Sequence, residues 1–559
     1  MNTLVGVFGA KDPAEAMRRI DIEASWADDH LAVGGAAVWR DRSGRWLLAG
    51  EHLLDNAEEL ERELAMPGAD PGALLVELIA RDGPDGMKRA LGLIAAVAYD
   101  TQERRILLAR DALGARTLYY AGGREGWWFA TRLSTVRLTP AVSGRLSMAA
   151  LRDYLTCAFV PGRQTLYRDV REVRPGAVVE LPADRAKVYW EPSDGASLPG
   201  DVEDHAHTLR TLLELAVLTR LPEGGPTAVF LSGGLDSSLV TALAAREAPG
   251  AVHTFSIHFG PEHPNELEFS SMVARHCGTT HHVLELPARV IRDRLERTLE
   301  ALDDPIGDPL TVPNDLLAQA AGQHAPVILN GEGGDPCFGG PKNLPMLLHE
   351  VYGSAEERER AYLRSYQKCY DDLEELLTPE VKEELSHEPP QERLLAPFFG
   401  PHGMSDYVHR LMHVNVRLKG ADHILTKVNN LSTEHNLLAR SPLFDRRIVD
   451  FAFSIPAHHK LDGANEKAVL KRAVADLLPE PVLTRQKSGM LVPVQAWFQR
   501  DLRRYARAML LDKRARTRPY LNRDVVDAWL DYRGSLWPRH GVKLWLLLTL
   551  EVWLRAHEG

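Results

Sequence analysis

"VFLSGGLDSSLV", residues 229–240, is the stretch that decides the fold. An apolar run, 228–231, stops at Ser232-Gly233-Gly234. After Leu235 come Asp236, Ser237 and Ser238, followed by a helical pattern through residue 245. That is a buried strand, a glycine turn and a helix. The turn leaves backbone N–H groups bare, and the helix aims its positive end at the same point, so the place suits phosphate. Ser232, Ser237 and Ser238 add hydroxyl donors. Asp236 would repel a phosphate unless a divalent cation lay between them, which points to a nucleotide with magnesium. A plain strand–helix connection capped by Ser or Asp gives the same local pattern and stays open as the alternative. No Gly-Lys-Ser/Thr follows, so this is not a Walker A loop.

Outward from this turn, strand and helix patterns alternate, from a long helix at 202–220 to "PVILN" at 326–330. Such alternation predicts a parallel sheet with helices on both faces. A second strand end reads "VILNGEGGDPCFGG", 327–340. Here Asn330-Gly331-Glu332-Gly333-Gly334-Asp335 again puts carboxylates into a glycine turn. Alone it could be only a turn; beside the first, it becomes the opposite wall of one site. Asp236 and Asp335 could then share magnesium, and Glu332 could act as a base. A third piece, "LTRQKSGMLVPVQAWF" (483–498), carries Arg485 and Lys487. These are either a solvated basic pair or the cations that stabilise a departing pyrophosphate. From 345 onward the pattern is mostly helical.

Residues 1–190 have a different texture. Short apolar or alternating runs such as "RWLLAGE", "LIAAVAYD", "RRILLARD" and "GWWFATR" predict antiparallel sheets packed as a sandwich. Helices are expected at 56–65 and 72–81. The segment 189–201, rich in Pro, Gly, Ser and Asp, reads as a linker, giving domains 1–195 and 196–559.

Composition narrows the function. An apolar fraction of 45% and a charged fraction of 26% exclude a disordered chain. The net charge of −11 argues against nucleic-acid binding. Four widely spaced cysteines form neither a disulfide framework nor a zinc site. The apolar stretch 4–10 is too short for a signal sequence. The stretch 544–554 is short and broken by Glu551, so a buried helix is expected rather than membrane contact. A cytoplasmic protein without membrane partners is the expectation.

Taken in order, S-G-G-L-D-S, G-E-G-G-D…F-G-G, "RSPLFDRRIVDFA" (440–452), "EKAVLKRA" (466–473) and R-x-K-x-G resemble the asparagine synthetase family. "LGLIAAVAYD", "LLARDALGARTLYY" and "FATRLSTV" resemble that family's glutaminase domain. The resemblance implies an N-terminal nucleophile domain of glutaminase type and a C-terminal pyrophosphatase (PP-loop) domain with a helical extension. The latter adenylates a carboxylate with magnesium-ATP and then forms an amide. Carried over, Ser232, Gly233, Gly234, Asp236 and Ser237 would hold pyrophosphate. Phe230, Ile257, Asn330 and Gly331 would line the adenosine. Asp236 and Asp335 would bind Mg2+, Glu332 would be the base, and Lys487, with Arg485 beside it, would assist pyrophosphate release.

The departures direct the functional expectation. Where the family has its nucleophilic cysteine after the initiator Met, this sequence has Asn2, and no cysteine precedes Cys157. Glutamine hydrolysis is therefore expected to be lost. Arg132, Leu438 and Pro336 stand where the family usually has acids. The amine must then come from free ammonium, a second molecule, or the substrate itself. Among specialised branches, β-lactam synthetases have Tyr where this chain keeps Glu332. Segments 420–456 and 463–473 are most similar to lasso peptide cyclases, which join a peptide's α-amine to an Asp or Glu side chain. That resemblance implies a precursor peptide as substrate, and a leader peptidase and a leader-recognition protein as partners. Ammonia-dependent asparagine synthesis, a β-lactam synthetase type of closure and a non-catalytic peptide-binding scaffold remain the rival expectations.

Overall fold

The computed structural model describes residues 3–195, 197–340, 355–400, 403–462, 465–485, 491–533 and 540–557. Two compact units divide them. One comprises Met1–Ala150, Pro161–Glu191 and Ala421–Thr426; the other comprises Leu151–Val160, Pro192–Gly420 and Lys427–Gly559.

Alternating apolar residues build the first unit. Its strands are β1 (Val5–Phe8), β2 (Trp26–Ala27), β3 (Leu31–Gly34), β4 (Val38–Arg40), β5 (Trp46–Leu54), β6 (Gly92–Asp100), β7 (Arg105–Arg110), β8 (Tyr119–Gly123), β9 (Gly126–Ala130), β10 (Arg171–Glu172), β11 (Ala177–Leu181) and β12 (Arg185–Val188). They form two antiparallel sheets, ordered β10-β8-β9-β1-β3-β2 and β12-β11-β7-β6-β5-β4. Phe8, Leu31 and Phe129 from one sheet meet Leu47, Val97 and Leu108 from the other in one buried core. This is the expected sandwich. The two helices expected here span Ala57–Leu64 and Pro71–Asp82; Asp70 caps the second by accepting the Gly72 N–H at 2.8 Å.

The second unit holds a five-stranded parallel sheet: β13 (Thr227–Phe230), β14 (Val252–His258), β15 (Thr280–Glu285), β16 (Val327–Leu329) and β17 (Leu438–Arg440), in the order β15-β14-β13-β16-β17. The chain leaves β13 toward β14 on one side and returns as β16 on the other. Ligands in open α/β sheets bind at such a reversal, beyond the carboxyl ends of the strands. Both glycine turns lie there.

The segment read as a linker is tied down. Tyr189 and Trp190 are buried in the first unit, where the Tyr189 hydroxyl donates to the Arg110 carbonyl at 2.7 Å. Asp194, in the second, accepts the N–H and hydroxyl of Ser405 at 2.7 and 2.8 Å. Pro, Gly and Ser content marks irregular backbone but says nothing about its anchoring. All four cysteines are free thiols. The apolar C-terminal stretch is the helix His540–His557, buried along almost its whole length. Its Glu551 carboxylate, itself fully buried, accepts the N–H of Arg516 (3.1 Å), the N–H and hydroxyl of Thr517 (2.8 Å each) and Arg555 Nε (2.5 Å). No helix among the described residues is long and apolar enough to cross a membrane.

Candidate active site

Strand β13 ends at the half-buried Phe230, and helix Leu235–Glu247 starts after Gly234. In the turn between them, Ser237 Oγ accepts the Ser232 N–H at 3.1 Å and lies 3.1 Å from Ser232 Oγ. The Gly234 N–H donates to Ser232 Oγ at 3.3 Å. The hydroxyls thus fold the turn back on itself and take up the Ser232 and Gly234 amides. Ile257 is buried on β14, next to β13.

The second turn, after β16, touches the first. A Cβ at Gly331 would land on the backbone of Asp236 and Ser237. One at Gly334 would strike the Asp236 carboxylate closer than real side-chain carbons come. Glycine at these two positions is what lets the turns meet. Asn330 Oδ1 accepts the Glu332 N–H at 3.0 Å, and the Asn330 N–H donates to the Arg440 carbonyl of β17 at 3.1 Å.

Between the turns stands Lys467. Its Nζ lies 2.5 Å from Asp236 Oδ2 and 2.6 Å from Asp335 Oδ1, and its side chain is 4% exposed. Burial by itself would lower the pKa of this ammonium; the charges of Asp236 and Asp335 outweigh burial and raise it. Lys467 precedes helix Ala468–Ala473 in a left-handed backbone conformation (φ 56°), which a non-glycine residue adopts at a cost of roughly 1–2 kcal/mol. In the sequence this segment, "EKAVLKRA" (466–473), stands out only by its family resemblance. Its ion pairs span 231 residues to Asp236, and no local pattern announces them.

Burial pushes the Glu332 carboxyl up. Lys427 and Lys419 oppose that push, Asp335 and Asp308 add to it, and the net shift is upward. Lys427 Nζ is itself paired with Asp308 at 2.6 Å. Arg485 contacts the first turn. It forms an ion pair with Glu266, donates to the Gly233 carbonyl at 3.4 Å and lies 4.3 Å over the Phe269 ring. Lys487 lies outside the described residues.

The two turns also present polar atoms with no partner among the described residues: Asp236 Oδ1 and Asn330 Nδ2 are buried and make no hydrogen bond there. A free buried carboxylate oxygen beside a second carboxylate is a hard-oxygen donor set, which suits magnesium. An unspent amide donor across from it suits a polar ligand that enters between the turns, because a buried polar atom left unpaired is costly. The arrangement can therefore hold a polyanion with its counter-ion, next to a carboxyl whose raised pKa suits proton collection.

Residues 208–555 match the family model described as asparagine synthase, and residues 51–190 match the glutamine amidotransferase domain. The chain is similar to asparagine synthetase (glutamine-hydrolysing) 3 of Bacillus subtilis, with 25% identity over 559 residues that cover 91% of this chain and 88% of that protein. It is also similar to asparagine synthetase (glutamine-hydrolysing) 1 of the same organism, with 23% identity over 491 residues covering 83% and 77%.

Proposed function

The chain belongs to the asparagine synthase family, an ATP-dependent group of amide-forming ligases, and from that premise we propose that it is a lasso peptide cyclase. In this reading it adenylates an Asp or Glu side chain of a precursor peptide and closes a macrolactam with the peptide's own α-amine. The observation that carries the nucleotide half is the meeting of the two glycine turns, with Asp236 Oδ1 and Asn330 Nδ2 unpaired among the described residues. The substrate half is supported by the similarity of segments 420–456 and 463–473 to lasso cyclases and by the lack of any cysteine in residues 3–156. Some polar groups of the first unit are also paired with one another. Arg110 donates to the carbonyls of Gly114 and Val173 at 3.0 and 2.9 Å, and Thr131 Oγ1 donates to Glu51 at 2.5 Å. Such pairing favours a scaffold over a site that binds glutamine.

In the proposed reaction the side-chain carboxylate attacks the α-phosphate of ATP, giving an acyl-adenylate and pyrophosphate. Ser232, Ser237 and the backbone of Gly233 and Gly234 hold the pyrophosphate oxygens, and Lys487 offsets their growing charge. Asp236 and Asp335 would hold Mg2+, which supplies charge neutralisation at the phosphates. Phe230, Ile257, Asn330 and Gly331 line the adenosine. Arg485, engaged with Glu266, braces the first turn. The α-amine then attacks the acyl carbon and AMP leaves. An α-amine has a pKa of ~8, so about a tenth is already neutral at pH 7. Glu332 need only take the proton released as the tetrahedral intermediate forms.

The test uses the full chain with ATP, magnesium and a peptide bearing a free α-amine and an Asp or Glu a few residues along. The expected products are AMP, pyrophosphate and a peptide lighter by one water. Asp236→Ala and Lys487→Ala should each lower AMP formation by ~10²-fold or more, the scale of losing one charge-stabilising group. Wild-type turnover in both variants sinks the nucleotide assignment. Asparagine made from aspartate, ATP and ammonium, with no cyclised peptide, replaces the cyclase reading with the simpler synthetase.

The pH profile tests Glu332 separately. Burial is the main cause of the raised Glu332 pKa and the Asp308 charge adds to it, so Asp308→Asn lowers it and keeps the base ionised to lower pH. The acid limb of kcat against pH should therefore move to lower pH in that variant. An unmoved limb removes Glu332 from the base role.

A further inference from the structure

Three imidazoles gather at the end of the parallel sheet remote from the glycine turns. His253 is the second residue of β14 and His282 the third of β15, so both sit near the amino ends of their strands. Parallel register sets His282 beside Phe255, which puts His253, Phe255 and His282 on one sheet face. His324 follows helix Thr311–Ala321 and precedes β16; its N–H donates to the Ala321 carbonyl at 2.9 Å, which fixes it over that face. His253 Nδ1 and His282 Nε2 are 3.1 Å apart. The ring centroids of His282 and His324 are 4.4 Å apart, and one nitrogen from each of the three rings lies within 4.8 Å of the others.

We propose that His253, His282 and His324 form a binding site for a divalent transition ion of the zinc type, tying the turn before β16 to the β14–β15 edge. Tetrahedral zinc with Zn–N bonds of ~2.0–2.1 Å separates its ligand nitrogens by about 3.3 Å. The His253–His282 spacing already falls close to that value, and a His324 nitrogen lies within 4.8 Å of both. Phe255 stacks on His282 at 4.7 Å with an interplanar angle of 11°, so one ligand ring is pre-oriented. The three donors are all imidazole nitrogens, a set that takes zinc, nickel or copper and not magnesium. His324 is exposed, which leaves a fourth position to water. The site is distinct from the nucleotide turns, which follow the carboxyl ends of β13 and β16 at the other end of the sheet, and it owes nothing to the cyclase reading.

The probe is metal alone on the full chain, stripped with chelator and titrated with Co2+, then challenged with Zn2+. The expected result is one equivalent of cobalt with the visible absorption of a nitrogen-ligated ion, displaced by zinc. His324→Ala sits in an exposed turn and should keep the fold. It is expected to weaken cobalt binding by more than the ~10–100-fold that an outer supporting residue is worth. His282→Ala should do the same. The chain has 22 histidines, so His458→Ala serves as the control and should leave the tight equivalent in place. Zinc should raise the melting temperature of the wild-type chain but not of His324→Ala. No stoichiometric binding in the wild type, or unchanged affinity in His324→Ala, overturns the site.

Discussion

Lys467→Ala is expected to cut AMP formation by ~10²–10³-fold, as for loss of a group that organises charge in a water-poor site. The ammonium bridges Asp236 and Asp335 at 2.5 and 2.6 Å. Without it, two carboxylates face each other across touching backbone turns. Like charges so placed cannot both stay ionised, so one takes up a proton or the turns part. Either response removes the paired acids that would hold magnesium. Lys467→Arg keeps the charge and should recover part of the rate. Pyrophosphate release measured over a range of magnesium concentrations is the check. A larger magnesium requirement in Lys467→Ala is expected alongside the lower ceiling. Near wild-type release at ordinary magnesium would show that Lys467 only fills space.

Asp445→Ala should destabilise the second unit by ~3–5 kcal/mol, the cost of breaking a buried ion pair from one side. Asp445 is 2% exposed, accepts from Arg220 Nη1 and Arg447 Nη2 at 2.7 Å each, and caps helix Arg446–Ser454 through the Arg447 N–H at 2.8 Å. Burial disfavours its charge, but Arg220 and Arg447 outweigh burial and hold the carboxyl well below the usual carboxylate range. A depressed folded pKa fixes the sign. The stabilisation is complete above the unfolded value of ~3.9 and fades only as pH falls toward the folded one. Urea unfolding at pH 7 should therefore show nearly the full difference between wild type and variant, and the difference should shrink on acidification. Equal midpoints at pH 7 would contradict this account.

The two glycine turns were legible because their geometry is local. An apolar run, two glycines, an acid and a helix pattern occupy a dozen residues, and each residue type has its own backbone reason. The sandwich was legible through alternation, as in β5 and β6. What stayed hidden depends on long loops closing. β17 is three residues long, too short to show a period, yet it completes the sheet beside β16. Asp445 stood inside a motif read for its resemblance, and nothing nearby showed that Arg220 would arrive from 225 residues away. Lys467 was hidden for the same reason. The pairing of Arg485 with Glu266 was hidden too, because no motif includes Glu266. Histidines 253, 282 and 324 lie far apart in sequence; the β14–β15 register gathers the first two, and the turn before β16 brings the third.

The buried Glu551 has a consequence of its own. A helix as evenly apolar as His540–His557 offers many nearly equivalent ways to lie in a greasy groove. Sliding by one turn or rolling by a third of a circle changes little in the total surface hidden from water. A carboxylate that must meet Thr517 and Arg516 admits a single axial position, because every other leaves a bare charge in hydrocarbon. Its contribution is uniqueness of registry rather than strength. A Glu551→Leu chain should remain folded yet lose the sharpness of one docked arrangement, with broadened tryptophan side-chain resonances from Trp545 and Trp553 as the sign.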